Sequence, residues 1–158
     1  MKNLIVFFLV VTFLPIGSCT KKVDTEADIE TIKSLTEEYD ATLNAGDLDN
    51  WVSLYTDDAL RMGPNMPTLV GKDAIRDFYQ PFFEQSAIDI NETCEEVIVC
   101  GDWAFVRGTY TYTITPNAGG EPIRDSGKWV AFNKRQPDGS WRIYRNIFNS
   151  DLPPSGAQ

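Results

Sequence analysis

The chain has 158 residues, with 14 Lys and Arg against 23 Asp and Glu, a net charge of −9 and no histidine. Acidic chains without clustered cations suit neither a phosphate backbone nor an anionic lipid surface, which argues against nucleic acid as a partner. The missing histidine removes Ser-His and Cys-His nucleophile pairs and every His-containing metal site. With no phosphate-cradling Gly loop and no metal-ligand spacing, the sequence implies no cofactor and no metal.

At the N-terminus, Lys2 is the only charge ahead of an apolar run from Leu4 to Leu14, which ends at Pro15. This run is shorter than the ~20 residues a spanning helix needs, and it has the form of a secretory signal over residues 1–18. Ile16-Gly17-Ser18-Cys19 resembles the lipobox of bacterial lipoproteins, which implies lipidation of Cys19 and an exported protein anchored at the bacterial cell envelope. Residues 19–26 are a charged tether, 27–151 a single domain and 152–158 a tail.

Thr25 and Asp28 have capping-box spacing, and Ile29, Ile32, Leu35, Tyr39 and Leu43 predict a helix to about Asn44. Gly46 suits its stop and Asp47 the N-cap of a shorter helix carrying Trp51, Leu54 and Tyr55, closed by Asp57-Asp58. Ala59–Met62 is a short strand and Gly63–Pro67 a rigid loop with Asn65 and Met66 at its tip. A third helix carries Ala74, Ile75, Phe78 and Tyr79, and Pro81 should stop or kink it.

The second half alternates at strand spacing: Ile88–Cys94, Glu96–Cys100, Trp103–Thr115, Ser126–Lys134 and Trp141–Asn149. Cys94 and Cys100 lie on one extended stretch, where six residues span ~20 Å against a disulfide limit near ~7 Å, so they are expected as unpaired, buried small apolar residues. Glu95-Glu96 is expected at an exposed strand end. On the long strand, Arg107 shares parity with Trp103, Phe105 and Thr109, opposite Ala104, Val106 and Tyr110. If the first set faces inward, Arg107 is a buried cation needing an anionic partner; if the second does, it lies on the surface. Asn146 and Asn149 fall on opposite faces of the last strand. Helices first and a curved antiparallel sheet afterwards make an α+β cone with an apolar interior and one open mouth.

Tyr39-Asp40-Ala41-Thr42-Leu43-Asn44-Ala45-Gly46-Asp47-Leu48-Asp49, Leu54-Tyr55-Thr56-Asp57-Asp58-Ala59 and Gly71–Tyr79 resemble the NTF2-like superfamily. The tail from Asp138-Gly139-Ser140-Trp141 to Asp151 resembles its SnoaL-like branch. The resemblance implies three helices packed on a curved sheet, and homodimerisation through the open sheet face. Ketosteroid isomerase, the superfamily's enzyme with a carboxylate base and a tyrosine-plus-acid oxyanion site, is the enzyme of comparison. Its tyrosine falls on Tyr39, but its base falls on Gly63 and its second acid near Val130. The Asn146 position, often an aspartate in this branch, holds an amide that exchanges no protons. The expected function is therefore binding of a small, mostly apolar molecule, with pocket residues Tyr39, Trp51, Tyr55, Met62, Asn65, Phe78, Arg107, Trp129 and Asn146. A cyclase- or isomerase-like enzyme using Tyr39 as a hydrogen-bond donor, and a homodimeric interaction module, are the alternatives.

Overall fold

The computed structural model describes residues 25–153. The signal segment, Cys19 and the end of the tail lie outside the described residues. Among these residues no helix is long and apolar enough to cross a membrane.

Helix α1 spans Thr25–Asn44 and buries Asp28, Ile32, Leu35, Tyr39 and Leu43. The stripe starts at Asp28 rather than Ile29 because Asp28 accepts from Arg135 Nη1 at 2.7 Å and from Trp141 Nε1 at 3.3 Å. That cross-domain contact takes the place of the expected capping role. The helix ends in a Schellman turn: Asp47 N donates to Thr42 O at 2.9 Å while Gly46 adopts φ 69°. Asp47 then caps α2, Leu48–Ser53, accepting from Asn50 N at 3.1 Å.

Strand β1 is Tyr55–Met62, so Tyr55, Asp57 and Asp58 belong to a strand and not to the second helix. Tertiary pairing overrides the local pattern here: Ile143 N donates to Leu54 O at 2.8 Å, and Tyr55 pairs with Ile143. A bulge between Tyr55 and Leu60 pushes Asp57 and Asp58 into solvent. After the short β2, Leu69–Val70, helix α3 runs Lys72–Gln85 without a break at Pro81. Pro81 and Asp77, four residues earlier, are both exposed, so water can take the carbonyl that the missing N–H leaves free.

The remaining strands are β3 Ser86–Cys100, β4 Trp103–Pro116, β5 Ile123–Arg135 and β6 Trp141–Ser150. The two segments expected around Glu95 are one strand with a bulge between Cys94 and Glu96. Glu95 and Glu96 therefore lie mid-strand. Sheet order is β2-β1-β6-β5-β4-β3. The sheet is mixed: β1 and β6 are parallel, against the all-antiparallel expectation, while the other neighbours are antiparallel. Cys94 is half-buried and Cys100 exposed, both free, so Cys100 does not join the core as expected.

Inward positions on β4 are Ala104, Val106, Gly108 and Tyr110, which makes the second parity set the core one. Two inward glycines face aromatics on the neighbouring strand, Gly108 opposite Trp129 and Gly127 opposite Tyr110. A Cβ at Gly108 would sit 2.9 Å from the Trp129 ring, and one at Gly127 2.7 Å from the Tyr110 hydroxyl. The rings lie down over the glycines, a device that lets a long sheet curl. Helix α1 seals the edge strand β3 with side chains: Asn44 exchanges two bonds with Ile90 backbone (2.9 and 2.7 Å), and Asp40 accepts from Glu92 N at 2.7 Å.

Candidate functional site

The curled sheet and the helices enclose a cavity of about 330 Å³. This is near the small end of the ~300–1,000 Å³ range of small-molecule sites. Tyr39 and Leu43 of α1, Phe78, Tyr79 and Phe82 of α3, and Ile88 and Ile90 of β3 form the helix side and one wall. Tyr110, Tyr112, Ile114, Trp129 and Phe148 form the sheet side, with Pro64, Asn65 and Met66 at the rim. Two charged residues enter this apolar surround, Arg61 and Glu92, together with the amide of Asn146.

Arg61 is 7% exposed. Its Nε donates to the Tyr79 hydroxyl at 2.8 Å, and its Nη1 to the Tyr55 hydroxyl at 2.9 Å and to Asn146 Oδ1 at 2.6 Å. The guanidinium carbon lies 5.3, 4.8 and 4.7 Å from the ring centroids of Trp51, Tyr79 and Phe148. Arg61 and Asn146 are direct register partners across the parallel β1–β6 pair. The bulge in β1 turns Arg61 inward in place of Met62. A slip between Phe132 and Asn133 around Tyr144 does the same for Asn146 and leaves Asn149 exposed.

Glu92 stands in the inward row Ile88, Ile90, Glu92, Cys94 of β3. Burial pushes its carboxyl up to about 8, the nearby Asp40 carboxylate adds to the rise, and Arg61 opposes it. Asp40 is itself raised by burial, and its Oδ1 is buried without a partner among the described residues. Burial also raises the phenols, Tyr39 well above its usual value and Tyr55 to about 12, so both are neutral donors at physiological pH.

Of the residues expected in the pocket, Tyr39, Asn65, Phe78, Trp129 and Asn146 line the cavity. Trp51 and Tyr55 do not: both are 0% exposed and lie behind the wall, with Trp51 packed 5.0 Å from the Tyr79 ring. Met62 also lies off the cavity, and Met66 supplies the thioether at the rim. Arg107 is on the opposite face of the sheet, bound to Glu96 at 2.7 Å and Glu95 at 2.6 Å. Arg61, Glu92, Tyr79, Tyr110, Tyr112 and Phe148 were not singled out as pocket residues by sequence reasoning. The signal for Glu92 was available, since a carboxylate in an otherwise apolar Ile88–Cys94 row has no reason to face a core unless it is used.

The positions of the isomerase base and second acid carry no carboxylate into this cavity, while the tyrosine position, Tyr39, lines it. A Cβ on Gly63 would sit 2.5 Å from the Phe148 ring and 2.6 Å from Met66 Sδ. Val130 lies between the inward residues Trp129 and Ala131, on the outer face of β5. A wider depression of about 610 Å³ between the α1–α2 turn and α3 is open and shallow, and its Arg76 already holds Asp49.

Residues 36–144 match the SnoaL-like domain. The chain belongs to this family. A ketosteroid isomerase-like protein from Erwinia carotovora atroseptica is 29% identical, with a TM-score of 0.72 over 80% of this chain and 98% of that one. A candidate scytalone dehydratase from Novosphingobium aromaticivorans (14% identity, TM-score 0.74, 81% and 87% covered) shares the fold. So does an NTF2-like superfamily protein from Salmonella enterica (14%, 0.73, 85% and 98%). No curated protein is matched by the chain. The SnoaL-like domain here is thus an NTF2-like cone whose cavity lining includes Arg61, Glu92, Tyr39 and Asn146.

Proposed function

We propose that this SnoaL-like domain binds a small, mostly apolar molecule in its cone. The observation that carries the reading is a half-open cavity of about 330 Å³, aromatic on several sides, with Arg61 and its hydrogen-bond partners Tyr79 and Asn146 in its lining. Apolar walls supply affinity and a few convergent polar groups supply orientation. The test is uptake of the neutral fluorophore phenylnaphthylamine, whose emission rises in an apolar site. Binding by the native chain, and its loss in Ile90→Trp, which puts an indole in the cavity, is expected. No emission change with the native chain overturns the reading.

A second reading is proton transfer of the isomerase or dehydratase kind. Glu92 favours it, because a carboxyl held near 8 can give or take a proton at neutral pH. In this reading Glu92 shuttles a proton at a carbon next to a carbonyl, while Tyr39 or Arg61 steadies the developing oxygen charge. A β,γ-unsaturated ketone, followed by the ultraviolet absorbance of its conjugated product, tests it. Turnover that disappears in Glu92→Gln supports the reading, and no turnover above solvent rate ends it.

Two further proposals concern context. The Ile16–Cys19 segment supports export and a lipid anchor at Cys19, tested by membrane partition of Cys19→Ser. The outer face exposes Ile98, Phe132 and Ile147, which supports a homodimer, tested by sedimentation.

A further inference from the structure

We propose that the molecule held in the cone is a carboxylate on an apolar body, its charged end seated on Arg61. The inference rests on the binding reading above and names the ligand class for that site.

Three observations carry it. First, Arg61 is the buried arginine among the described residues, 7% exposed, and it has no acidic partner there. Arg76 holds Asp49, Arg107 holds Glu95 and Glu96, and Arg135 holds Asp28 and Asp102. Arg61 forms no ion pair within 4 Å among the described residues, and its hydrogen-bond partners Tyr55, Tyr79 and Asn146 are all neutral. A buried cation with neutral partners is costly, and a matching anion removes that cost.

Second, the guanidinium has five N–H donors in a fixed fork. The bond on Nε and the two on Nη1 leave both hydrogens of Nη2 without an acceptor among the described residues, and Arg61 borders the cavity. The bound partners fix the orientation of the fork before any ligand arrives. An Nη2–H can donate a charge-assisted hydrogen bond to one oxygen of a carboxylate.

Third, the other charged residue in the cavity does not compete. Glu92 is not paired to Arg61, and its burial beside Asp40 keeps it protonated at neutral pH, so it offers a donor to the same ligand. A cationic ligand would meet Arg61 in a site with few solvating groups. The remaining lining, including Phe78, Ile88, Ile90, Ile114 and Phe148, has no charge and takes the apolar body.

The experiment uses the full chain at neutral pH and three acid–amide pairs: benzoate with benzamide, naphthoate with naphthamide, and octanoate with octanamide. Each compound displaces phenylnaphthylamine, so occupancy of the cavity and preference for the anion are read separately. A charged hydrogen bond of ~1.5–3 kcal/mol corresponds to about tenfold or more in affinity. At least one acid should therefore bind about tenfold more tightly than its own amide. Arg61→Met should treat the acid and amide of each pair alike, while Arg61→Lys should keep a reduced preference for the acid. If every amide equals or exceeds its acid in the native chain while the fluorophore is still displaced, the anion proposal is overturned and the binding reading stands. If neither the fluorophore nor any pair binds, both fall together. The native acid–amide comparison decides the matter even if the Arg61 variants do not fold.

Discussion

Strand β3 supplies carboxylates to both faces of the sheet, and each face has an arginine to meet them. Outside, Arg107 reaches across from β4 and clasps Glu95 and Glu96, with its own side chain 47% exposed. Inside, Arg61 and Glu92 share one cavity and influence each other's charge without forming a pair. The outer cluster follows ordinary surface behaviour, in which opposite charges meet in water at little gain. In the inner one, a cation is held by tyrosines and an amide while the acid is left protonated. Packing alone would favour pairing such groups or replacing both by apolar side chains. That neither has happened separates a site from a surface.

Four outcomes would sharpen or break this contrast. The largest concerns Glu92, which faces Asp40 and Tyr39 of α1, Arg61 of β1 and Cys94 on its own strand. Its folded-state pKa is raised, so the folded chain holds the proton more tightly than the unfolded one. The resulting stabilisation is complete below about pH 4 and is lost as pH rises through about 8. Glu92→Gln should be more stable than the native chain at alkaline pH by about 2–4 kcal/mol in urea unfolding, and should flatten the curve between these limits. An unchanged pH profile would mean that burial does not hold the Glu92 carboxyl protonated.

Asp28 is the intermediate case, a carboxylate largely covered but held by Arg135 and Trp141. The Arg135 hydrogen bond holds its carboxyl below the usual value. Its contribution is therefore present above the unfolded pKa near ~4 and disappears as pH falls through the lower folded value. Asp28→Asn should cost about 2 kcal/mol at neutral pH and little in acid, measured by the same unfolding curves.

The next effect is on binding, where Arg61→Met should remove the about tenfold preference for the acid over its own amide. The smallest is Arg107→Met, which should leave ligand binding unchanged and move the urea midpoint by no resolvable amount. A measurable loss of binding in Arg107→Met would erase the distinction between the two faces.

Much of the fold was legible in the chain because local chemistry and tertiary structure agree there. The Ile32–Leu43 stripe, the Gly46 stop, the Asp47 cap and the turn at Pro137–Ser140 are each specified by neighbouring residues. The site was less legible for one physical reason: side-chain parity carries along a strand only while the ladder is regular. Bulges in β1, β3 and β6 reset it. Thus Met62 was expected where Arg61 stands, and Tyr55 was assigned to a helix although the distant β6 draws it into a strand. Arg107 illustrates the converse, since a regular strand still offers two faces and only the packed structure chooses. Pro81 was expected to stop or kink a helix that exposure of its carbonyl partner lets continue to Gln85.

The parallel pairing of β1 with β6 also bears on how the molecule is made. β1 is synthesised early, but its neighbour in the finished sheet is the last strand, 85 residues further on at the Arg61–Asn146 contact. Such a distant closure comes late, after the β3–β4–β5 meander can already have formed. Until the final strand slides between β1 and β5, Arg61 has no Asn146 to steady it and the cone has no closed wall. A chain interrupted before Trp141 therefore lacks both the closing strand and the Asn146 contact of Arg61. The finished cone is in this sense a mark of complete synthesis, carried only by molecules whose last strand is in place.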